Sequence, residues 1–217
     1  MGGYIFDLDV LDKLLENEKH VELGAQIIPA AVKSSLSVYA FPFTGYWENV
    51  SSIRSYFDAS LKFAEKQPPI NIYDPANPVY TNPRFLPSAK LYSCSLSDSL
   101  VADGCVLEHA DFHHCVIGPR SFVRAGATLK EVVMMGADHF ERLDDLRENT
   151  INQLPNIGVG PHSLIEHAII DKNARIGKHV HIINKDHVTH GDGENFSIRD
   201  SIVIVKKNAV ILDGTVI

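Results

Sequence analysis

Through the last three fifths of this chain an apolar residue keeps returning at every sixth position. Ile117, Val123, Leu129 and Met135 stand six apart, as do Val101 and Leu107, Val159 and Ile165, Ile176 and Ile182, and finally Val205, Ile211 and Ile217. A small residue or glycine accompanies most of these steps, and Ser, Ala, Cys or Val follows four places on. A helix repeats near 3.6 residues and a half-buried strand at 2, so neither explains a period of six. Three such hexads make one triangular coil, with the aliphatic residue inside and a small residue at each tight corner. Stacked coils bury a continuous core and pair their strands between layers. An ordinary antiparallel sheet would not repeat the step in three separate blocks, so residues 91–217 are predicted to form a parallel β-helix. Residues 138–156 and 185–200 break the period and are polar. They are predicted to protrude as loops or a short helix, with Phe140 to Leu146 the helical candidate.

The N-terminal third has a different grammar. Tyr4–Phe6 and Val38–Phe41 suit short strands. Val10, Leu11, Leu14 and Leu15, the run Ile27 to Val32, and Ile53 to Phe63 have helical spacing. Pro29 falls in the first turn of its helix, where it is tolerated. Residues 1–66 therefore resemble the tail of an α+β domain, with a sheet too small to bury itself. Six of the 11 prolines fall between Gln67 and Pro87, which marks residues 67–90 as an extended connector.

Composition excludes several function classes. Lys+Arg 20 against Asp+Glu 27 gives a net charge of -7, with the charges scattered, so the basic patch of a nucleic-acid or anionic-membrane partner is missing. No apolar run approaches the roughly 20 residues of a membrane span. The opening MGGYIFDLDV has the form of neither a signal nor a transit peptide. Three cysteines, Cys94, Cys105 and Cys115, are odd in number and lie in the patterned region, which suits buried thiols in a reducing compartment. His113–His114 and the pair His179 and His181 lack third and fourth ligands at metal-site spacing, so solvent-facing positions are expected for them.

The blocks FLPSAKLYSCSLSDSLVADGC, HCVIGPRSFVRAGATLKEVVMMGAD and IGVGPHSLIEHAIIDKNARIGKHVHIINKD, with the terminal DGTVI, resemble the C-terminal region of plant-type glucose-1-phosphate adenylyltransferase (ADP-glucose pyrophosphorylase). MGGYIF is similar to that family's MGIYVF strand, VELGAQIIPAAV to DFGSEIIPAAV, and GYWENVSSIRSYFDASL to DYWEDIGTIKSFFDANL. The motifs are collinear along essentially the whole chain, and the MMGAD block and the ending look more like the large subunit than the small one. The resemblance implies a nucleotidyltransferase remnant over 1–66 and a left-handed parallel β-helix over 91–217.

The family makes ADP-glucose and pyrophosphate from ATP and glucose 1-phosphate, toward starch or glycogen. Its members open with a Gly-rich loop, GGGxGTRLxPLT, that cradles the triphosphate, and no such loop occurs in these 217 residues. Two positions matching its substrate site are altered. Glu22 stands where the family has the Asp of DFG, and Asn49 where it has the metal-binding Asp of YWEDIGT. An amide brings no negative charge to Mg²⁺, so the chain alone is expected to be inactive. No cofactor is expected in it; Mg²⁺ and ATP belong to the complete enzyme. Lys66, in FAEKQ, looks like the family's sugar-phosphate lysine but lies after YWEN, out of register, and receives no catalytic role.

The resemblance also implies an effector site for 3-phosphoglycerate and orthophosphate. By position its lysines are Lys172, in DKNARIG, and Lys207, with Asp171 and Arg175 as neighbours that orient the first. Lysines solvated at coil edges are the plainer alternative. Partners implied are other subunits of the family, in a homo- or hetero-oligomer. The compartment implied is the plastid stroma, or the cytosol if no address precedes the chain. Two other readings stay open: a non-enzymatic module docking onto complete subunits through its coil ends, and a hexapeptide acyltransferase using His113, His114 or His162.

Overall fold

The computed structural model describes residues 2–217, which fall into two compact units, one running to Trp47 and one from Glu48 to Ile217. In the first unit, Asp7 caps helix α1 (Leu8–Leu15) by accepting the backbone N–H groups of Asp9 and Val10 at 3.1 and 3.3 Å. A π-helical turn, Leu23–Ile27, leads into α2 (Ile28–Lys33), which carries Pro29 in its first turn as predicted. Leu14, Ile27 and Ala31 pack with Phe6, Val10, Leu11 and Ala30 into a small core. The strands predicted at Tyr4–Phe6 and Val38–Phe41 do not form. Both segments are extended but unpaired, and Ile5, Tyr39 and Phe41 are exposed. A three- or four-residue strand holds its shape only against neighbours, and no described residue supplies one.

The second unit is the coil. Strands Asp111–Ile117, Thr128–Met134 and Leu164–Ile170 stack in parallel, Asp111 beside Thr128 and Thr128 beside Leu164. The first of those steps is 17 residues; the second is 36, one coil plus the 19 residues of 138–156. Three full hexads would need 18, so this coil has one side a residue short, and the coils before it, which advance by 16, are shorter still. The short side moves the inward position from Met135, where strict periodicity puts it, to Met134, which is buried in the core. The other hexad positions do line the interior: Leu107, Ile117, Val123, Leu129, Val159, Ile165, Ile176, Ile182, Val205 and Ile211 are all buried, and Val101 and Ile217 pack against them. Cys105 and Cys115 are buried among them as free thiols.

Each coil turns its corners through left-handed backbone, and the corners stack into columns. One runs through Asp98, His114, Glu131 and His167, with φ between 44° and 53°. Non-glycine residues pay for this conformation, Asn, Asp and His least, which accounts for the six histidines with positive φ. The two insertions emerge where the period breaks. Residues 138–156 contain helix α4 (Leu143–Ile151), placed later than the Phe140–Leu146 candidate. Residues 185–200 form an antiparallel hairpin, His190–Asp192 with Phe196–Arg199, which extends the sheet beside Ile202–Val205.

The unit containing the coil starts at Glu48 rather than after residue 66, because helix α3 (Ile53–Lys62) lies on it. Ser52 caps α3 by accepting the Ser55 N–H at 3.1 Å. Its apolar face, Ile53, Tyr56, Phe57 and Leu61, packs on Val116, Val133, Ile169, Ile202 and Ile204. Val116, Val133, Ile169 and Ile204 stand beside one another in successive strands and point out of the coil. The His114 ring donates from Nε2 to the Leu61 carbonyl at 3.2 Å, and Arg54 donates to the Asp200 carbonyl. From Gln67 to Ala89 no helix or strand forms and the chain is largely exposed, as the proline content requires.

Candidate functional site

The coil's register brings three turns to one corner. The turn after strand Leu164–Ile170 carries Lys172 and Asn173, and the turn after Ile202–Val205 carries Lys207 and Asn208. Ile170 pairs with Val205, so the two turns lie side by side. The turn after Thr128–Met134 carries Gly136 and Asp138 and is joined to the Lys172 turn by the Asn173 N–H donating to the Gly136 carbonyl at 3.1 Å. Gly136 has φ +85°, and a Cβ there would meet the Pro119 carbonyl oxygen at 2.0 Å, so only glycine serves. Asn173 and Asn208 turn their corners at φ 60° and 58° and stack, Asn173 Nδ2 donating to Asn208 Oδ1 at 3.0 Å.

Lys172 and Lys207, 35 residues apart in sequence, meet on one carboxylate. Lys172 Nζ donates to Asp138 Oδ1 at 2.9 Å, and Lys207 Nζ lies 3.1 Å from Oδ2. Asn173 Nδ2 reaches the same Oδ2 at 3.1 Å, and the Asp138 N–H donates to Asn173 Oδ1 at 2.8 Å. The hydrogen bond from Lys172, then those from Lys207 and Asn173, hold the Asp138 carboxyl well below the usual aspartate range. All three charged side chains remain between two fifths and one half exposed, so an anion from solvent can reach the ammonium groups.

Residues 84–216 match the family profile of the GLGC left-handed parallel beta-helix domain. The chain belongs to that family. Residues 1–66 match the nucleotidyl transferase profile. Together the two matches fit the ADP-glucose pyrophosphorylase family, and the fold is a nucleotidyltransferase fragment followed by the left-handed β-helix. The nucleotidyl transferase match runs to residue 66 and so takes in α3, which packs on the GLGC-type coil in the second unit.

The remaining predicted residues scatter. Asp171 Oδ1 accepts the Lys172 backbone N–H at 2.6 Å, so it shapes the turn and leaves the ammonium to Asp138. Arg175 does not join the lysines. Its Nη1 donates to Glu141 Oε1 at 2.7 Å and to the Pro155 carbonyl at 2.8 Å. The Glu141 carboxylate is nearly buried and also accepts from Asn149 Nδ2 at 2.7 Å and the Ile157 N–H at 2.8 Å, tying the α4 insertion to the coil. Lys206, next to the chosen lysine, is spent on the hairpin carbonyls of Gly193 and Glu194 at 2.8 and 3.0 Å.

Glu22 lies in the first unit, at the start of the π-helical turn, its carbonyl accepting from Gln26 and Ile27. Asn49 lies in the second, its amide oxygen accepting the Ser51 N–H at 3.0 Å. That neutral, locally engaged amide does not fit a Mg²⁺ ligand. His113 shares a hydrogen bond with Ser97, and His162 stacks on His179 with ring centroids 5.2 Å apart. Lys66 borders an open groove of about 710 Å³ between the end of α3 and the corner column of His114, Glu131 and His167.

Sequence reading missed Asp138 and Glu141. Asp138 stands 34 residues before Lys172, which stands 35 before Lys207; each interval is one coil plus an insertion, so spacing alone gave no sign that the three turns are neighbours. No periodicity marks Glu141, because it sits in the insertion.

Proposed function

We propose that this chain is the regulatory and assembly part of a plant-type, large-subunit-like ADP-glucose pyrophosphorylase, acting on the conversion of ATP and glucose 1-phosphate without performing it. The observation that carries the reading is the convergence of Lys172 and Lys207 on one exposed corner of a GLGC-type coil. Two ammonium groups that share one carboxylate suit a phosphate or carboxylate ligand, such as orthophosphate or 3-phosphoglycerate. Binding by this chain alone is weak, because the family's site takes further cations from elsewhere. Catalysis is not assigned here: the 217 residues contain no Gly-rich phosphate loop, and Asn49 replaces a charged ligand. Mg²⁺ and ATP go with the complete enzyme, and the place of action is the compartment where that enzyme works, the plastid stroma in plants.

A second reading, a docking module without its own ligand, draws support from the first coil. Strand Lys90–Tyr92 pairs on one side only, with Val106–Glu108, and leaves Leu91 and Tyr92 half exposed. Such an edge invites another subunit. One assay separates these readings: pyrophosphorylase activity of the chain alone and mixed with a complete small subunit. Silence alone with a changed phosphoglycerate response in the mixture supports the regulatory role. A change in assembly that is independent of phosphoglycerate supports the docking module. Turnover by the chain alone refutes both.

A further inference from the structure

The carboxylate between the two lysines is held more firmly than the lysines themselves. Asp138 is fixed to the coil twice through Asn173, by its own N–H to Oδ1 at 2.8 Å and by Asn173 Nδ2 to its Oδ2 at 3.1 Å. Asn173 is braced in turn by Asn208, and the backbone around Asp138 is set by Gly136, where no side chain fits. The lysines are long, half-exposed arms whose ammonium groups end on opposite oxygens of that carboxylate. The neighbouring carboxylate, Asp171, is engaged with a backbone N–H, and the neighbouring ammonium, Lys206, with two carbonyls. Asp138 is therefore the acid that both arms share.

We propose that Asp138 is a built-in counter-anion, competing with external phosphate or carboxylate for Lys172 and Lys207 and so setting the affinity of this corner for anions. The inference rests on the effector reading of the same two lysines. An arriving phosphate exchanges contacts: each ammonium leaves one Asp138 oxygen and takes a phosphate oxygen, while Asp138 stays fixed on Asn173 and repels the newcomer. Exposed ion pairs of this kind are individually weak, which makes the exchange reversible at ordinary effector concentrations. Without the carboxylate the lysines are free to close on an anion, and the local repulsion is gone.

The test is calorimetric titration of the full chain with inorganic phosphate and, separately, with 3-phosphoglycerate. Asp138→Asn keeps the shape and removes the charge; Asp138→Ser removes the charge in a side chain too short to reach the lysines. Both are expected to bind phosphate about three- to tenfold more tightly than the parent chain, two weak pairs being released at once. The gain should vanish when Lys172→Gln and Lys207→Gln are added. Unchanged or weaker binding in both Asp138 variants, with binding still lost in the lysine double variant, overturns the counter-anion and leaves the effector reading standing. A gain that survives loss of the lysines also overturns it. No lysine-dependent binding in any variant overturns the effector reading and the counter-anion together.

Discussion

Replacing Phe57 by alanine should release α3 from the coil without unfolding the coil. Phe57 is 1% exposed, and its ring meets the His167 ring edge-on with centroids 4.8 Å apart. A buried phenylalanine removes about 150–250 Å² from water, which at roughly 25 cal/mol/Å² gives about 4–6 kcal/mol. Alanine retains a minor part of that, and the ring contact adds about 0.5–1.5 kcal/mol. A loss near 3–5 kcal/mol follows, in line with Phe→Ala changes in other cores. A ten-residue helix is marginal in water by itself, so α3 melts once its anchor is gone.

The loss should remain local, because the cluster under α3 is separate from the core inside the coil. Hydrogen exchange read peptide by peptide is the direct assay. Amides of residues 56–62 should exchange about two to three orders of magnitude faster in Phe57→Ala, at 1.4 kcal/mol per tenfold. Amides of Asp111–Ile117 and Thr128–Met134 should keep most of their protection. Unchanged protection in α3, or equal loss through the coil strands, would show that the helix is not held by this face as argued.

Four further outcomes follow from other contacts in the coil. Glu141→Ala leaves the Arg175 charge without its carboxylate and the Ile157 N–H without its acceptor, with only Pro155 and Asn156 still holding Arg175 and Asn149, and should cost about 3 kcal/mol in urea unfolding. Glu166→Ala, which removes only the exposed pair with Lys130 at 2.9 Å, should cost under about 1 kcal/mol. Gly136→Ala forces a Cβ onto the Pro119 carbonyl at positive φ and should lower stability by at least about 1–3 kcal/mol, read as a drop in Tm. Burial pushes the Cys105 and Cys115 thiols up from their ordinary range, so they stay neutral and shielded; an aromatic disulfide reagent should label only Cys94 rapidly in the native chain, and all three cysteines in urea.

The coil was legible because its physics is periodic. Within each block an aliphatic residue returns at the sixth place, and those from Leu107 to Ile211 line the core. The exception is instructive: Met135 satisfies the strict count, yet Met134 fills the core because the side of the coil ending there is one residue short. The helices at Leu8–Leu15 and Ile53–Lys62 were legible for the same reason, at a different period. The strands at 4–6 and 38–41 carry strand-like residues, but a strand is a property of a pair, and the sequence of one member does not show whether the other is present.

The docking of α3 left a trace that periodicity alone overlooks. The runs Cys115–Ile117, Val132–Met134, Ala168–Ile170 and Ile202–Val205 are apolar on consecutive residues, so the outward side of that coil face is apolar too and needs a cover. The lysines were placed by resemblance. Their meeting on Asp138 depends on register, which no single motif carries.

Register also explains why a corner of a coil suits an anion switch. Stacked turns sit about 4.8 Å apart, so side chains from two or three successive turns converge within reach of one small ion without any loop having to fold over it. The rigid part, Gly136, Asn173, Asn208 and Asp138, belongs to the ladder, and the mobile part is two lysine side chains. A change in what the lysines hold therefore needs no change in the coil. It alters the charge presented at one corner, and any element resting on that corner would feel the difference. The cover on the opposite problem, the apolar face under α3, is built from other residues and a separate cluster. Stability of the coil and the charge state of its corner can thus be altered one at a time. Asp138→Asn should leave hydrogen exchange in α3 unchanged, and Phe57→Ala should leave lysine-dependent phosphate binding unchanged; a cross-effect in either direction would mean that the two faces are coupled through the coil.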